Sequence, residues 1–148
     1  MVNAETAAFL EKVLPEMREA DTALHNGDAR GRIAMWSQVE PLTLFGAARS
    51  NHSWEEIRPA FEWVASTFSQ CESFAIEVVS AEAAGNLAYI AAIERTRVSV
   101  GGAPPADYAL RVTTGFRQEN GSWKVVLRHA DPQDDHAGAI ERLRGLAG

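Results

Sequence analysis

The chain lacks the residue types that build disulfide frameworks or metal clusters. Its 148 residues include a single cysteine, Cys71, and four histidines that are scattered along the sequence. One cysteine cannot form a disulfide within the chain, and the histidines do not have the spacing of metal ligands. We therefore predict no structural disulfide and no metal.

Long apolar runs and an excess of positive charge are also missing. No run approaches the roughly 18 apolar residues that a membrane helix needs, and the N-terminal residues lack the features of a signal peptide. The formal net charge is −6, whereas nucleic-acid binding requires a positive surface. The sequence thus predicts a cytoplasmic protein that binds neither a membrane nor nucleic acid.

The short motifs of common nucleotide-dependent and hydrolytic enzymes are absent as well. The sequence contains no glycine-rich dinucleotide fingerprint, no P-loop, no His-Glu-x-x-His pair and no nucleophile elbow. We therefore predict no cofactor, and we expect any enzymatic activity to be cofactor-independent.

The composition is that of a globular protein, with 46% hydrophobic and 23% charged residues. A chain of this length is about the size of one domain and buries enough surface to fold without covalent cross-links. We predict a single domain over residues 1–148.

The first part of the chain has helical periodicity. Apolar residues recur every three or four positions over 4–25, although Pro15 interrupts them and predicts a kink or a new start. Residues 28–36 predict a second, short helix. Ser53 and Glu56 have the spacing of a capping box, which predicts the start of a third helix.

The second part of the chain changes to strand-like alternation. Turn residues separate four predicted strands, at about 72–84, 87–99, 107–119 and 122–131. A short apolar run at 42–45 predicts an edge strand, and residues 137–146 predict a short final helix. Helices followed by an antiparallel meander are typical of an α+β domain, in which the helices cover one face of the sheet.

Asn120-Gly121 is the strongest turn signal in the sequence, because a type I′ hairpin needs positive φ at both central positions. Strict alternation from this turn pairs Phe116 with Val125, Thr114 with Leu127, Val112 with His129, and Leu110 with Asp131. Paired residues share a sheet face. The predicted inner face is therefore apolar except for His129 and Asp131.

His129 and Asp131 are the predicted catalytic residues. A histidine and a carboxylate on an apolar face that helices cover need a partner, a cavity or a ligand. Such a pair in an apolar site is typical of general acid–base chemistry. A structural alternative stays open, in which Asp131 caps the turn before Pro132 and His129 binds a backbone carbonyl.

The predicted ligand-binding residues are Tyr89, Thr114, Val112, Leu127 and Trp36. Tyr89 and Glu94 lie on opposite faces of one predicted strand, so only one of them can face inward. An inward Tyr89 would belong either to a pocket or to the core, and the same alternatives hold for Trp36. We interpret His25 and His52 as surface residues at a helix end and in a loop.

The opposite face of the final hairpin is basic. It carries Arg111, Arg117, Lys124 and Arg128. Because the chain as a whole is acidic, we interpret this face as a solvated or subunit-facing surface rather than a nucleic-acid site.

Three segments of the chain resemble the SnoaL-like, ketosteroid isomerase-like superfamily. They are the final hairpin from Leu110 to Asp131 with its Trp-Lys-Val-Val strand, the His25-Asn-Gly-Asp28 segment, and the Leu44-Phe-Gly-Ala47 segment. The resemblance implies a nuclear transport factor 2-like fold, a cone in which a curved antiparallel sheet wraps around a long N-terminal helix. It also implies a deep pocket at the mouth of the cone and a homodimer built on the outer sheet face.

This superfamily includes isomerases, polyketide cyclases, dehydratases, epoxide hydrolases and noncatalytic association domains. The resemblance implies an Asp/His pair for proton transfer, which His129 and Asp131 match best by position. One hypothesis is an isomerase or lyase that removes a proton alpha to a carbonyl of a small hydrophobic molecule. The other is a noncatalytic domain that binds a small ligand or mediates oligomerisation, and the fold alone does not choose between them.

Overall fold

The computed structural model describes residues 2–46 and 49–133. Its helices are α1 (Ala4–Leu24), α2 (Arg30–Met35) and α3 (Trp54–Thr67). Its strands are β1 (Thr43–Phe45), β2 (Ser50–Asn51), β3 (Phe68–Ala84), β4 (Leu87–Val100), β5 (Ala106–Glu119) and β6 (Ser122–Pro132). The final helix predicted over 137–146 lies outside the described residues.

The helices begin where side chains can accept hydrogen bonds from free backbone N–H groups. The Asn3 side chain caps α1 at 2.7 Å, and the helix continues through Pro15 without a break. Ser53 caps α3 by accepting from the Glu56 N–H at 3.3 Å, while the Glu56 carboxylate accepts from the His52 N–H. None of the helices in the described ranges combines the length and apolar character needed to cross a membrane.

The strands form one open, curved sheet with the order β2-β1-β6-β5-β4-β3. The four predicted long strands are confirmed, and they form the expected antiparallel meander. The 42–45 run forms β1, but it is not an edge strand, because β2 pairs with it on one side and β6 on the other. The predicted α+β fold, with a curved sheet around a long N-terminal helix, is confirmed.

The core lies between the helices and the inner face of this sheet. The Phe9 ring of α1 packs edge-on against Phe116 and Trp123, with centroids 5.0 Å away in both cases. Ile57 of α3 and Ile90 of β4 are almost completely buried. Each such side chain contributes about 1.5–3 kcal/mol by leaving water, so α1 and α3 are held on one face of the sheet.

The final hairpin follows the predicted register only near its turn. Asn120 and Gly121 have φ values of 51° and 80°, as a type I′ turn requires. Phe116 pairs with Val125 as predicted, but the next pair is Gly115 with Leu127, so Val126 is an extra residue in β6. This β-bulge exchanges the two faces of the remaining strand.

The pairs beyond the bulge therefore differ from the prediction. Thr114 pairs with Arg128, Thr113 with His129, Val112 with Ala130, and Arg111 with Asp131. The predicted partners of these β5 residues are wrong by one position, because strict alternation makes no allowance for a bulge. A Cβ on Gly115 would lie 3.2 Å from the Leu127 Cβ, which is a tight contact. Glycine therefore allows β5 and β6 to approach closely at the bulge.

Candidate functional site

A cavity of about 460 Å³ lies between α3, the β1–β2 hairpin and the inner face of the sheet. Its walls are mostly apolar and include Leu24, Leu44, Phe61, Val64, Phe68 and Leu110. This volume falls within the range of roughly 300–1,000 Å³ that small-molecule sites occupy. Several buried polar side chains converge at this cavity, which makes it the candidate site.

Arg128 is the first of these polar groups, and the bulge in β6 directs it inward. Its two terminal nitrogens, Nη1 and Nη2, donate to the two carboxylate oxygens of Glu94 at 3.1 and 2.9 Å. Both residues are buried. Burial alone would raise the pKa of Glu94, but the Arg128 guanidinium outweighs it and holds that pKa below its ordinary value. Glu94 is therefore a carboxylate locked in an ion pair, and the prediction that Arg128 lies on the outer face is wrong.

The predicted catalytic residues His129 and Asp131 lie on the outer face, away from this cavity. His129 is exposed and contacts the edge of the Phe45 ring, with centroids 5.3 Å apart. Asp131 accepts two hydrogen bonds from Arg111, at 2.9 and 3.1 Å. The prediction that they face the core is wrong, because the bulge turns both residues over. Among the described residues, Asp131 is engaged in a surface ion pair with Arg111 and makes no contact that caps the turn.

The predicted ligand-binding residues divide into two groups. Thr114 and Val112 lie on the inner face and are buried as predicted, and Trp36 is buried against Phe61 with ring centroids 5.3 Å apart. None of these three residues lines the candidate cavity. Tyr89 is 42% exposed, and Leu127 lies on the same outer face because of the bulge. The prediction that Leu127 faces inward is therefore wrong. Of the two β4 residues considered, Glu94 faces inward and Tyr89 faces outward.

His25 lies at the C-terminal end of α1 and contributes an imidazole to the cavity wall. Its Nδ1 atom is 2.6 Å from the Asp21 carbonyl oxygen, so Nδ1 carries the proton and donates. Its Nε2 atom therefore accepts a hydrogen bond, and the donor is the hydroxyl of Tyr108. Burial lowers the pKa of His25 below its ordinary value. The interpretation of His25 as a surface residue is wrong.

Tyr108 reaches the same cavity from β5. Its ring stacks in parallel on Phe68 at a centroid distance of 6.3 Å, and burial raises the pKa of Tyr108 to about 12. The phenol is therefore protonated and can donate to His25, while its oxygen keeps a lone pair for another group. His25 and Tyr108 form a neutral hydrogen-bonded pair through which a proton can move.

Arg32 of α2 completes the polar part of the site. Its Nε and Nη2 atoms donate to Oδ1 of Asp21 at 3.0 and 2.5 Å, and both residues are buried. The guanidinium carbon also lies 5.4 Å from the centroid of the Phe61 ring. The aromatic contact and the ion pair together hold Arg32 in one position at the cavity.

The family model for the SnoaL-like domain matches residues 16–131. The chain belongs to the SnoaL-like family. The match covers α1 from its middle, all of the remaining helices and strands up to the penultimate residue of β6, and every polar residue of the site described above. No curated protein matches the sequence.

Solved structures similar to this SnoaL-like protein support the same fold. An NTF2-like protein of unknown function from Pseudomonas putida has 19% identity and a TM-score of 0.70, covering 91% of this chain and 94% of that one. A candidate dehydratase of the NTF2-like family from Streptomyces avermitilis has 15% identity and a TM-score of 0.65, covering 87% and 99%. A candidate calcium/calmodulin-dependent kinase II association domain from Exiguobacterium sibiricum has 16% identity and a TM-score of 0.64, covering 92% and 99%. At these identities the likeness establishes the fold and not the reaction.

The carboxylates and histidines of the SnoaL-like protein do not form a metal site in the described ranges. No group of three or more His, Cys, Asp or Glu side chains is arranged to hold a metal ion there. Asp21 and Glu94, the acidic groups nearest the cavity, are each bound by an arginine. The described polar side chains at the cavity wall include His25, Tyr108 and the arginines.

Sequence reasoning missed these residues for two different reasons. His25 belongs to the His-Asn-Gly-Asp segment that carries part of the family resemblance, so a signal was present but was read as a helix end. Arg128 had no such signal, because its inward position depends on the bulge at Val126.

Proposed function

We propose that this SnoaL-like protein binds a small, largely apolar carbonyl compound in the cavity and transfers a proton through the His25–Tyr108 pair. The reaction class is that of an isomerase, cyclase or dehydratase that acts without a cofactor. The observation that carries the proposal is the neutral His25–Tyr108 hydrogen bond at the wall of an apolar cavity. The apolar walls lower the local dielectric constant around the pair, which strengthens the electrostatic interactions of the reacting groups.

The proton follows a path that leaves the pair unchanged after one turnover. Tyr108 accepts the proton from the carbon alpha to the carbonyl while its own proton passes to Nε2 of His25. The electron pair left on the substrate delocalises onto the carbonyl oxygen, where N–H groups of Arg32 or Arg128 compensate the negative charge. Return of a proton from Tyr108 to another carbon gives the isomer, and His25 becomes neutral again.

Deuterium exchange tests proton removal without knowledge of the natural substrate. We expect the protein in deuterium oxide to accelerate the loss of the alpha-proton NMR signals of β-tetralone, a compact bicyclic ketone, above the buffer rate. Tyr108→Phe and His25→Gln should each lower this acceleration by about 10²–10⁴-fold, the usual contribution of a positioned acid–base group. The matched control is His129→Gln, which removes an exposed imidazole of the outer face and should keep the wild-type rate.

Two results would contradict the catalytic proposal. One is exchange that survives in both Tyr108→Phe and His25→Gln, and the other is exchange that disappears in His129→Gln. Binding of β-tetralone in calorimetry with no acceleration would instead favour a noncatalytic binding domain. That alternative has its own support, since each carboxylate near the cavity is paired and the His25 lone pair is already used by Tyr108.

We also propose a homodimer through the outer face of the sheet. Val79 and Tyr89 are apolar or aromatic side chains left largely exposed there, and Val79, Ile93 and Thr113 line a shallow cleft of about 380 Å³ on this face. Exposed apolar side chains rimmed by polar ones are typical of an interaction surface. Sedimentation velocity should give a dimer for the wild type and a monomer for Val79→Asp, and a monomeric wild type would contradict the proposal.

A further inference from the structure

The charged side chains that line the cavity are all of one sign. Arg32, Arg49 and Arg128 contribute to its wall, and no aspartate or glutamate among the described residues does so. Asp21 faces a separate small void of about 20 Å³, on the other side of Arg32. This concentration of arginine stands out in a chain whose formal net charge is −6. The cavity is therefore a concave positive region in an acidic protein.

The two buried arginines keep hydrogen-bond donors that their carboxylate partners do not use. A guanidinium carries five N–H groups in one plane. Arg32 binds Asp21 through Nε and Nη2, and Nη1 donates to no described residue. Arg128 binds Glu94 through Nη1 and Nη2, and its Nε likewise donates to none of the described residues. Each arginine therefore retains at least one nitrogen for a ligand oxygen.

Arg49 adds a positive charge that no described ion pair cancels. Its guanidinium carbon lies 4.1 Å from the centroid of the Trp63 ring, and both side chains line the cavity. Stacking on an aromatic face leaves the edge N–H groups of a guanidinium available to bind an anion. The Arg32–Asp21 and Arg128–Glu94 pairs are each neutral as a whole, so among the described residues of the site Arg49 carries the one positive charge without a carboxylate partner.

We propose that the ligand of this cavity is an organic anion, with a carboxylate that the arginines bind and an apolar body that the remaining walls enclose. A carboxylate matches the positive charge of Arg49, and guanidinium and carboxylate geometries are complementary. The unused N–H groups of Arg32 and Arg128 are further donors on the same cavity wall. This inference rests on the proposed function in that it places the ligand in the same cavity. It goes further by naming the ligand as a carboxylic acid in its ionised form.

Isosteric probes test the charge requirement directly. Cinnamate and cinnamamide have the same apolar body and nearly the same shape, and they differ in charge at one end. We expect isothermal calorimetry to give cinnamate a Kd at least about tenfold below that of cinnamamide, which corresponds to about 1.4 kcal/mol. The pair phenylacetate and phenylacetamide should show the same order.

Variants then locate the anion. Arg49→Gln should reduce the preference for cinnamate several-fold, and the double variant Arg32→Gln with Asp21→Asn should reduce it further, since it removes an ion pair without leaving a buried charge. The matched control is Arg58→Gln, which removes the same charge from the exposed side of α3 and should keep the wild-type preference. Thermal unfolding of each variant verifies that it is folded. Arg49 is exposed, so Arg49→Gln leaves the buried Arg32–Asp21 pair intact.

The possible failures are distinguishable. If the amides bind as tightly as the acids, or if the preference persists in both cavity variants, the anion inference is wrong while cavity binding stands. If Arg58→Gln loses the preference, the anion binds outside the cavity and the inference is also wrong. If neither probe pair binds, both the anion inference and the proposed binding function are contradicted.

Discussion

The two faces of the sheet carry the same arginine–carboxylate pairs in opposite surroundings. On the inner face, the side chains of Arg128 and Glu94 are 9% and 3% exposed. On the outer face, those of Arg95 and Glu77 are 55% and 62% exposed. Water and salt screen the charges of the outer pair. The charges of the inner pair are desolvated, and each is compensated by the other. The comparison shows that burial, more than the identity of the pair, decides what an ion pair does in this protein.

The inner face is also where the chemistry is concentrated. His25, Tyr108 and the buried arginines meet at the cavity, whereas the outer face presents a ladder of surface ion pairs. A buried polar group must find a partner, so each inner group constrains the positions of its neighbours. The outer ion pairs are solvated, so they constrain the positions of neighbouring side chains much less.

The largest expected difference follows from breaking one pair on each face. Glu94→Gln leaves the Arg128 guanidinium buried without a compensating charge, so we expect the free energy of unfolding to fall by about 3–5 kcal/mol. The matched outer variant, Glu77→Gln, should cost less than about 1 kcal/mol. Urea unfolding followed by circular dichroism measures both. Equal losses for the two variants would remove the basis of the comparison.

The second difference concerns the buried histidine of the inner face. Burial lowers the pKa of His25 from its ordinary value of 6.5, so the unfolded state takes up its proton at a higher pH than the folded state. Stability is therefore fully present above about pH 6.5 and declines as the pH falls from there towards the folded-state pKa. His25→Gln should flatten the pH dependence of the unfolding free energy between about pH 7 and 5.5. A wild-type slope in His25→Gln would contradict the assignment to His25.

A smaller effect is expected from the outer pair that contains a predicted catalytic residue. Asp131→Asn removes the charge that Arg111 binds at 2.9 Å. We expect a change in unfolding free energy of about 0–1 kcal/mol, which 1 M salt should reduce further. Chemical unfolding at low and high salt measures both quantities. A loss above about 2 kcal/mol would mean that this pair is less solvated in the native protein than the outer face suggests.

The smallest net change is expected when the inner pair is replaced as a unit. In the double variant Arg128→Met with Glu94→Leu, both charges leave the core together and apolar groups of similar length take their place. We expect the unfolding free energy to stay within about 1 kcal/mol of the wild type or to rise. The single variants Arg128→Met and Glu94→Leu complete a double-mutant cycle. A coupling energy near zero between them would contradict the buried-pair interpretation.

Local sequence signals predicted most of the fold. The apolar periodicity over 4–25 corresponds to α1, the Ser53 cap starts α3, and Asn120-Gly121 forms the predicted turn. Each signal depends on residues close to one another in the chain, where hydrogen bonding and backbone preference act directly. The register was correct as far as the Phe116–Val125 pair for the same reason.

The candidate site was predicted less well, because its position depends on contacts between distant segments. One extra residue at Val126 moves Arg128 inward and turns His129 and Asp131 outward. His25 joins Tyr108 across 83 positions of the chain, and neither neighbourhood indicates the other. Tyr108 lay inside a correctly predicted strand without being recognised as part of a site.

The family was indicated by the three segments that resemble it. The helices, the order of the long strands and the tight turn could be predicted from local sequence signals. Those features follow from side-chain periodicity and from backbone preferences within short segments. The buried face of β6, and with it the charges that line the cavity, depended on packing between distant segments. A side chain changes face with a shift of a single residue, and a bulge that costs little locally is selected by the packing and ion pairing of the whole inner face.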